Sequence, residues 1–344
     1  MKIGLVAPPF IPVPPKEYGG TELFIAYLAE GLRELDTEVV VYTNGESTVN
    51  AGKRWLFERG QWPIRGDASA ALKDIDHTTW ALQDAAASCD IVHLNNAPGL
   101  ACSRFLKTPF VYTLHHPTNR SLSAFYGRFP AINYVCISND QRRRENLAKI
   151  QTIHHGIDLS QYRLQETKQP YLSFIGRIAP IKGTHLAIEI AKKAGIPLKI
   201  AGEVQPINQS YFEAKVRPHI DGKLVEYIGI ADLAAKNELL GHSMAMLFPI
   251  KWDEPFGLVM IEAMACGTPV LAFQAGSVPE IVRDGVSGYV GRTVGELAKH
   301  ARELRIPPGA IRRYVEENFS VARMCRDYRE LYARVVGDKQ SQAA

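Results

Sequence analysis

The sequence predicts an α/β protein built from two doubly wound, Rossmann-like parallel-sheet domains, and three observations carry that prediction. Short runs rich in Val and Ile recur along the chain, separated by amphipathic stretches, the pattern of parallel strands covered by helices on both faces. That rhythm runs twice, on either side of a polar stretch at residues 161–170. A chain of 344 residues is too long for one ordinary hydrophobic core and fits two domains of about 150 residues each.

In the first half the strand candidates are residues 3–7, 39–42, 91–94, 110–114, 134–137 and 151–154. The first helix is expected over 21–35, with Phe24, Tyr27, Leu28, Leu32 and Leu35 on one stripe packing on the sheet, and Glu22, Glu30, Arg33 and Glu34 off it. The second series has strands at 171–175, 198–201, 225–228, 245–248 and 270–273. This places one domain at residues 1–165 and the other at 166–319. A last periodic segment at 320–337 carries Met324, Tyr328, Leu331 and Tyr332, and lies far enough beyond the final strand to cross back to the first domain. Ligands of open parallel sheets sit beyond the carboxyl ends of the strands, so two such domains facing across a cleft would bring both sets of loops to one crevice.

Composition narrows the function classes. Forty basic residues against 36 acidic ones leave a net charge of +4, too little to argue for a nucleic-acid partner. The run Arg142, Arg143, Arg144 reads as a solvated face near a helix start, with peripheral contact to an acidic membrane as the competing reading. Five scattered cysteines without a CxxC pair suit reduced thiols filling a core, not a disulfide frame or a zinc site. The amino terminus turns proline-rich after a short apolar run, so neither a signal peptide nor a transmembrane segment is expected, and the expected location is cytoplasmic. Disorder is expected only in the tail at 337–344.

The loops carry the chemistry. Between the first strand and first helix lies an unusually long connection, 8–20, ending in Gly19 and Gly20. Glycines before a helix let backbone N–H groups approach an anion, and they also serve plain turns; both readings stand at this point. The connection lacks GxGxxG, which argues against a dinucleotide-dependent dehydrogenase. In the second half, Gly176, Arg177 and Lys182 follow the first strand, where a guanidinium and an ammonium can converge on a diphosphate. In the run 253–270, Pro255 and Gly257 hold the start out of a helix expected over 258–266, which places Glu254 in a loop and Glu262 in about the second turn. Both carboxylates can face the crevice and accept from paired sugar hydroxyls. Asp74 and Asp76 imitate a DxD metal motif but read as a helix-start coincidence, and no metal site is expected.

Glu254 and Glu262, with seven residues between them, resemble the EX7E motif of retaining glycosyltransferases, and the surrounding EPFGLVMIEAMACGTPV resembles glycosyltransferase family 4. Gly19 to Glu22, Thr113 to His115, His155 to Asp158, Gly176 and Arg177 with Lys182 and Gly183, and Ser277 to Glu280 fall in that family's order. The resemblance implies the GT-B fold and a metal-independent, cofactor-free transfer of a hexose from a nucleotide diphosphate sugar, by default uridine diphosphate glucose, to a hydroxyl of a small-molecule or glycan acceptor. It implies that Arg177 and Lys182 hold the diphosphate, Glu262 the ribose, and Glu254 the sugar hydroxyls. Gly176 and the backbone of Phe256, Gly257 and Leu258 would line the donor, and Gly19 and Gly20 would approach its phosphate. His115 corresponds to a family histidine near the transferred sugar; His116 and Tyr18 are candidates for sugar or acceptor contacts. His116 stands where relatives often carry an acid, and His155 where they usually carry Asn. Retention would follow from same-face attack, with a donor phosphate oxygen taking the acceptor's proton. The alternatives are a nucleotide-sugar epimerase on the same scaffold and a non-catalytic nucleotide-sugar binding protein.

Overall fold

The computed structural model describes residues 1–16, 19–62 and 68–343, excluding the side chains of 340, 342 and 343. The chain divides into two compact units, Met1–Gly156 with Val321–Ala344, and Ile157–Ser320.

The first unit is a parallel sheet of seven strands: β1 (Lys2–Val6), β2 (Glu38–Thr43), β3 (Gly52–Trp55), β4 (Ile91–Leu94), β5 (Phe110–Leu114), β6 (Asn133–Cys136) and β7 (Ile150–Thr152), in the order β3-β2-β1-β4-β5-β6-β7. The chain winds outward from β1 to β3 and restarts at β4, so the order reverses between β1 and β4. The central strands β4 and β5 are buried along their whole length, which is why they read as unbroken apolar runs. The second unit repeats the plan with β8 (Leu172–Ile175), β9 (Leu198–Ala201), β10 (Val225–Tyr227), β11 (Ala245–Phe248), β12 (Val270–Phe273) and β13 (Gly288–Gly291), ordered β10-β9-β8-β11-β12-β13 and reversing between β8 and β11. Its core packs Leu172, Phe174, Ile200, Leu247 and Leu271 against Ile188 and Leu297 of the flanking helices Thr184–Ala194 and Val294–Arg302.

Two strands, β3 and β13, were not expected. Each is an edge strand, β3 mostly exposed and β13 bounded by glycines, so neither carries the apolar run that marks a central strand. The chain passes between units at Gly156, upstream of the expected residue 165, because the segment after it packs in the second unit. There Arg312 donates to the carbonyls of Leu159 and Tyr162 at 3.0 and 2.8 Å. The carboxyl-terminal helix Val321–Ala343 belongs to the first unit and runs through the tail expected to be disordered.

The first helix, Gly20–Glu34, buries Phe24, Tyr27, Leu28 and Leu32 as its stripe required, but Leu35 falls past its end. It lies against the carboxyl-terminal helix as well as β2, and this second neighbour buries more of its circumference than one sheet face would. Glu22, expected off the stripe, is buried at 6% exposure beside the Gly19 turn. The tripeptide Asp74 to Asp76 lies within helix Ala68–Ser88 and not at its start, and Asp74 accepts from Asn96 Nδ2 at 2.8 Å. The arginines 142–144 end helix Asn139–Arg144, with Arg144 paired to Asp140 at 2.8 Å. All five cysteines are unbridged thiols, three of them buried. Among the described residues, no helix is long and apolar enough to cross a membrane.

Candidate active site

In the second unit the predicted residues gather at the carboxyl ends of β8 and β11, the two strands that flank the reversal of strand order. Crevices at such reversals are where open parallel sheets bind ligands, because the loops on either side lead off to opposite faces. After β8 the chain turns at Gly176 and Arg177, then forms a short turn ending in Lys182 and Gly183 before helix Thr184–Ala194. Gly183 has φ 74°, and a Cβ there would stand 2.0 Å from the Pro249 carbonyl oxygen, so the β8 and β11 loops are pressed together at a point only glycine permits. The Lys251 amide donates to the Ile181 carbonyl at 2.8 Å and seals the same contact.

That closeness delivers Lys182 to Glu254. Lys182 Nζ lies 2.5 Å from Glu254 Oε2, and the two side chains are 16% and 12% exposed. Trp252 Nε1 donates to the same oxygen at 2.9 Å, and the Lys182 ammonium sits 4.7 Å from the Trp252 ring centroid. The Glu254 backbone is fixed by its carbonyl, which accepts from the Ser277 amide at 3.0 Å. Ser277 Oγ in turn donates to the Phe256 carbonyl at 2.8 Å. The Phe256 ring is buried against Phe319, so this residue can offer a ligand only backbone. Gly257 precedes helix Leu258–Ala265, whose first N–H groups lack partners within the helix and can donate to a ligand.

Glu262 and Arg177 are held separately from the Lys182 and Glu254 pair. Glu262 is buried at 3% exposure; its Oε1 accepts from Tyr162 Oη at 3.1 Å, and Lys236 Nζ lies 3.1 Å from both carboxylate oxygens. Arg177 reaches Gln205, on the loop after β9, at 3.4 Å. The two acids therefore do not share one contact network, although both follow β11. A hollow of about 610 Å³ lies beside Glu254, lined by Lys251, Trp252, Asp253, Phe273, Gln274 and Arg292 among others; none of the predicted site residues lines it.

In the first unit, the loop after β1 is anchored and not slack: the Val13 amide donates to Ser47 Oγ at 2.8 Å, and the amides of Thr48 and Val49 donate to the Val13 carbonyl. Tyr18 lies outside the described residues. Gly19, at φ 155°, stands before the first helix, and a Cβ there would meet Glu22 Oε2 at 2.8 Å and Pro15 Cβ at 2.9 Å. Gly20 is different: a Cβ there would meet nothing within 4 Å, so its backbone faces open space. Burial pushes the Glu22 carboxyl up to about 7 from an ordinary 4.5.

His115 follows β5, and its Nε2 lies 2.9 Å from Asn95 Oδ1. Asn95 spends its amide N–H on the Val6 carbonyl at 3.1 Å, so its oxygen faces His115 and Nε2 carries the hydrogen. The ring stacks on His155 at 5.8 Å and meets Phe24 edge-on at 5.0 Å. Burial first, then the neighbouring imidazoles of His155, His116 and His93, hold it well below the usual imidazole range. His115 is thus neutral, with Nδ1 as its acceptor. His116 is exposed and its carbonyl accepts from Gln141 Nε2 at 2.8 Å, whereas the His115 ring packs on Phe24 and His155.

Asn95, Trp252, Tyr162 and Lys236, which touch the candidate site residues, were not expected there from the sequence. Asn95 and Asn96, adjacent at a strand's carboxyl end, and Trp252, an aromatic residue just before the acidic pair, were legible signals. Tyr162 and Lys236 lie 100 and 26 residues from Glu262 and left none.

Two family models match adjacent stretches of the chain: Glycosyltransferase Family 4 over residues 18–161 and Glycosyl transferases group 1 over residues 158–306. A D-inositol 3-phosphate glycosyltransferase of Mycolicibacterium smegmatis is 30% identical over 217 residues, 56% of this chain and 49% of that protein. Its counterpart in Mycobacterium marinum is 30% identical over 165 residues, 42% of this chain and 34% of that protein, so the matches span half or less of these relatives' length. Among solved structures, a glycosyltransferase involved in avilamycin A biosynthesis superposes with a TM-score of 0.74 at 25% identity, covering 98% of each chain. Sucrose-phosphate synthase from Thermosynechococcus elongatus reaches 0.82 at 17% identity, covering 98% of this chain and 99% of that one. Anabaena HepE, solved with UDP and glucose, reaches 0.75 at 18%, covering 97% of this chain and all of that one. Two Rossmann-like parallel sheets, the Glu254 and Glu262 spacing and these matches agree: the chain belongs to the family 4-like glycosyltransferases of GT-B fold.

Proposed function

We propose that the chain transfers a hexose from a nucleoside diphosphate sugar to a hydroxyl acceptor, with retention of anomeric configuration and without a metal. The observation that carries this reading is the Lys182 and Glu254 pair at the β8 and β11 loops, a cation suited to a diphosphate touching an acid suited to sugar hydroxyls at 2.5 Å. We assign Lys182 and Arg177 to the leaving diphosphate, whose negative charge grows as the anomeric bond ionises. Glu254 takes hydroxyls of the hexose. Glu262, oriented by Tyr162 and Lys236, takes the ribose hydroxyls, and Gly176 and the backbone of Phe256 to Leu258 line the donor. We assign the Gly19 and Gly20 turn to the donor phosphate and neutral His115 to the transferred sugar.

No carboxylate is assigned as a nucleophile, so attack comes from the face the diphosphate leaves, and a diphosphate oxygen takes the acceptor's proton. The donor's bonds balance in one step: the anomeric carbon exchanges a phosphate oxygen for the acceptor oxygen, and the proton goes to the departing diphosphate. Incubating the protein with UDP-, GDP- and ADP-glucose, with and without candidate polyol and glycan acceptors and with a chelator present, tests the reading by nucleotide release. Acceptor-dependent release insensitive to the chelator supports it. Conversion of the donor without an acceptor indicates an epimerase, and binding without turnover a binding protein.

A further inference from the structure

Resting on that donor assignment, we propose that Trp252 is a specificity-determining residue which, by sharing Glu254 with Lys182, makes the site favour a nucleotide sugar over the bare nucleoside diphosphate. The three side chains form a closed triangle in which each touches the other two: Lys182 to Glu254 at 2.5 Å, Trp252 Nε1 to Glu254 at 2.9 Å, and the ammonium 4.7 Å from the indole ring centroid. Lys182 and Glu254 are both largely withdrawn from water, so a carboxylate that loses a donor here is not simply rehydrated.

In this proposal Lys182 turns from Glu254 to grip a diphosphate, because one ammonium beside two anions at full strength would be shared between them. A bare diphosphate then leaves Glu254 with the indole N–H as its donor and sets a second anion beside it. A nucleotide sugar brings hydroxyl donors that take the place of the ammonium on Glu254, so the same movement proceeds without leaving the acid short. The indole has two parts in this exchange. Its N–H keeps one bond to Glu254 throughout, and its face holds the ammonium between its two partners. The pair therefore weakens binding of the product, which leaves the site after transfer.

The test is calorimetric titration of the full chain, and of its Glu254→Gln and Trp252→Phe variants, with UDP against UDP-glucose, and likewise with the GDP and ADP pairs. A neutral amide no longer holds Lys182, so Glu254→Gln should tighten the bare diphosphate about tenfold while erasing the preference for the sugar-bearing form. Trp252→Phe keeps a ring under Lys182 but removes the donor to Glu254, so it should weaken the bare diphosphate severalfold, more than the nucleotide sugar. Opposite signs from two substitutions in one triangle are not what general loosening of the loop produces. Weaker diphosphate binding by Glu254→Gln, or an unchanged diphosphate affinity in Trp252→Phe, overturns the proposal; the second variant decides if the first does not fold. Failure of the parent chain to bind any of the six ligands overturns the donor assignment itself.

Discussion

At the scale of single residues, the site is a set of charges whose surroundings decide what they can do. Arg177→Ala and Lys182→Ala should each lower kcat by about 10² to 10³, the usual cost of removing a donor aimed at developing charge, with a smaller change in KM. Glu262→Ala should act on binding instead, raising the KM for donor because a ground-state contact to ribose is lost. Equal, mild effects of all three on turnover would contradict these roles. Glu22 makes a different prediction. Its carboxyl keeps its proton to about 7 in the folded chain and to about 4.5 when unfolded, so ionisation favours the unfolded chain across that interval. Stability contributed by this group is present at low pH and lost as pH rises from about 4.5 to about 7. Glu22→Gln should remove that slope and be the more stable protein at pH 8, by up to about 3 kcal/mol, read from urea midpoints across pH. Glu22 illustrates what the helical stripe did not reveal: Arg33 and Glu34 of the face expected to be wet are exposed, while Glu22, at the helix start, is buried beside the Gly19 turn.

At the scale of elements, the carboxyl-terminal helix Val321–Ala343 is tied into the first sheet by a buried polar network. His93 Nδ1 meets Tyr332 Oη at 2.6 Å, its Nε2 meets Thr113 Oγ1 at 2.8 Å, and Tyr328 Oη meets the same threonine oxygen at 2.9 Å. Tyr332→Phe leaves His93 short of a partner in a fully buried setting and should cost about 1–3 kcal/mol of unfolding free energy. Burial also pulls the imidazoles of His93 and His155 down to about 3. A base held neutral in the folded chain stabilises it while the unfolded imidazole is also neutral, and that stability is lost as pH falls below about 6.5 toward 3. In Glu22→Gln, where the carboxyl raised to about 7 is gone, unfolding midpoints should rise with pH through this interval, the lowered imidazoles of His77, His93, His115 and His155 outweighing the carboxyls of Asp74 and Glu145 that burial raises. A flat profile would contradict the neutral cluster. Central strands and the first helix were legible because they are buried on both faces or along a stripe. Edge strands β3 and β13 were not, since half-solvated pairing leaves no apolar signature.

At the scale of the whole chain, the repeated rhythm of two parallel sheets fixed where loops of chemical interest had to fall, and Gly176, Arg177, Lys182 and Glu254 stand at the strand-order reversal that such sheets use. What the sequence could not convey was which of them touch. Lys182 and Glu254 lie 72 residues apart, and their contact depends on Gly183 admitting the Pro249 carbonyl. Glu262, by contrast, is held by Tyr162 and Lys236 in a separate network, so the spacing of two acids along a chain did not amount to a shared set of contacts. The most direct test of the donor site is a crystal structure of the chain with UDP-glucose, or with whichever nucleotide sugar it binds. The diphosphate is expected on Arg177 and Lys182, the hexose hydroxyls on Glu254 and the ribose on Glu262. A nucleotide sugar seated instead in the hollow between Lys251 and Arg292, with Lys182 still bound to Glu254, would contradict it.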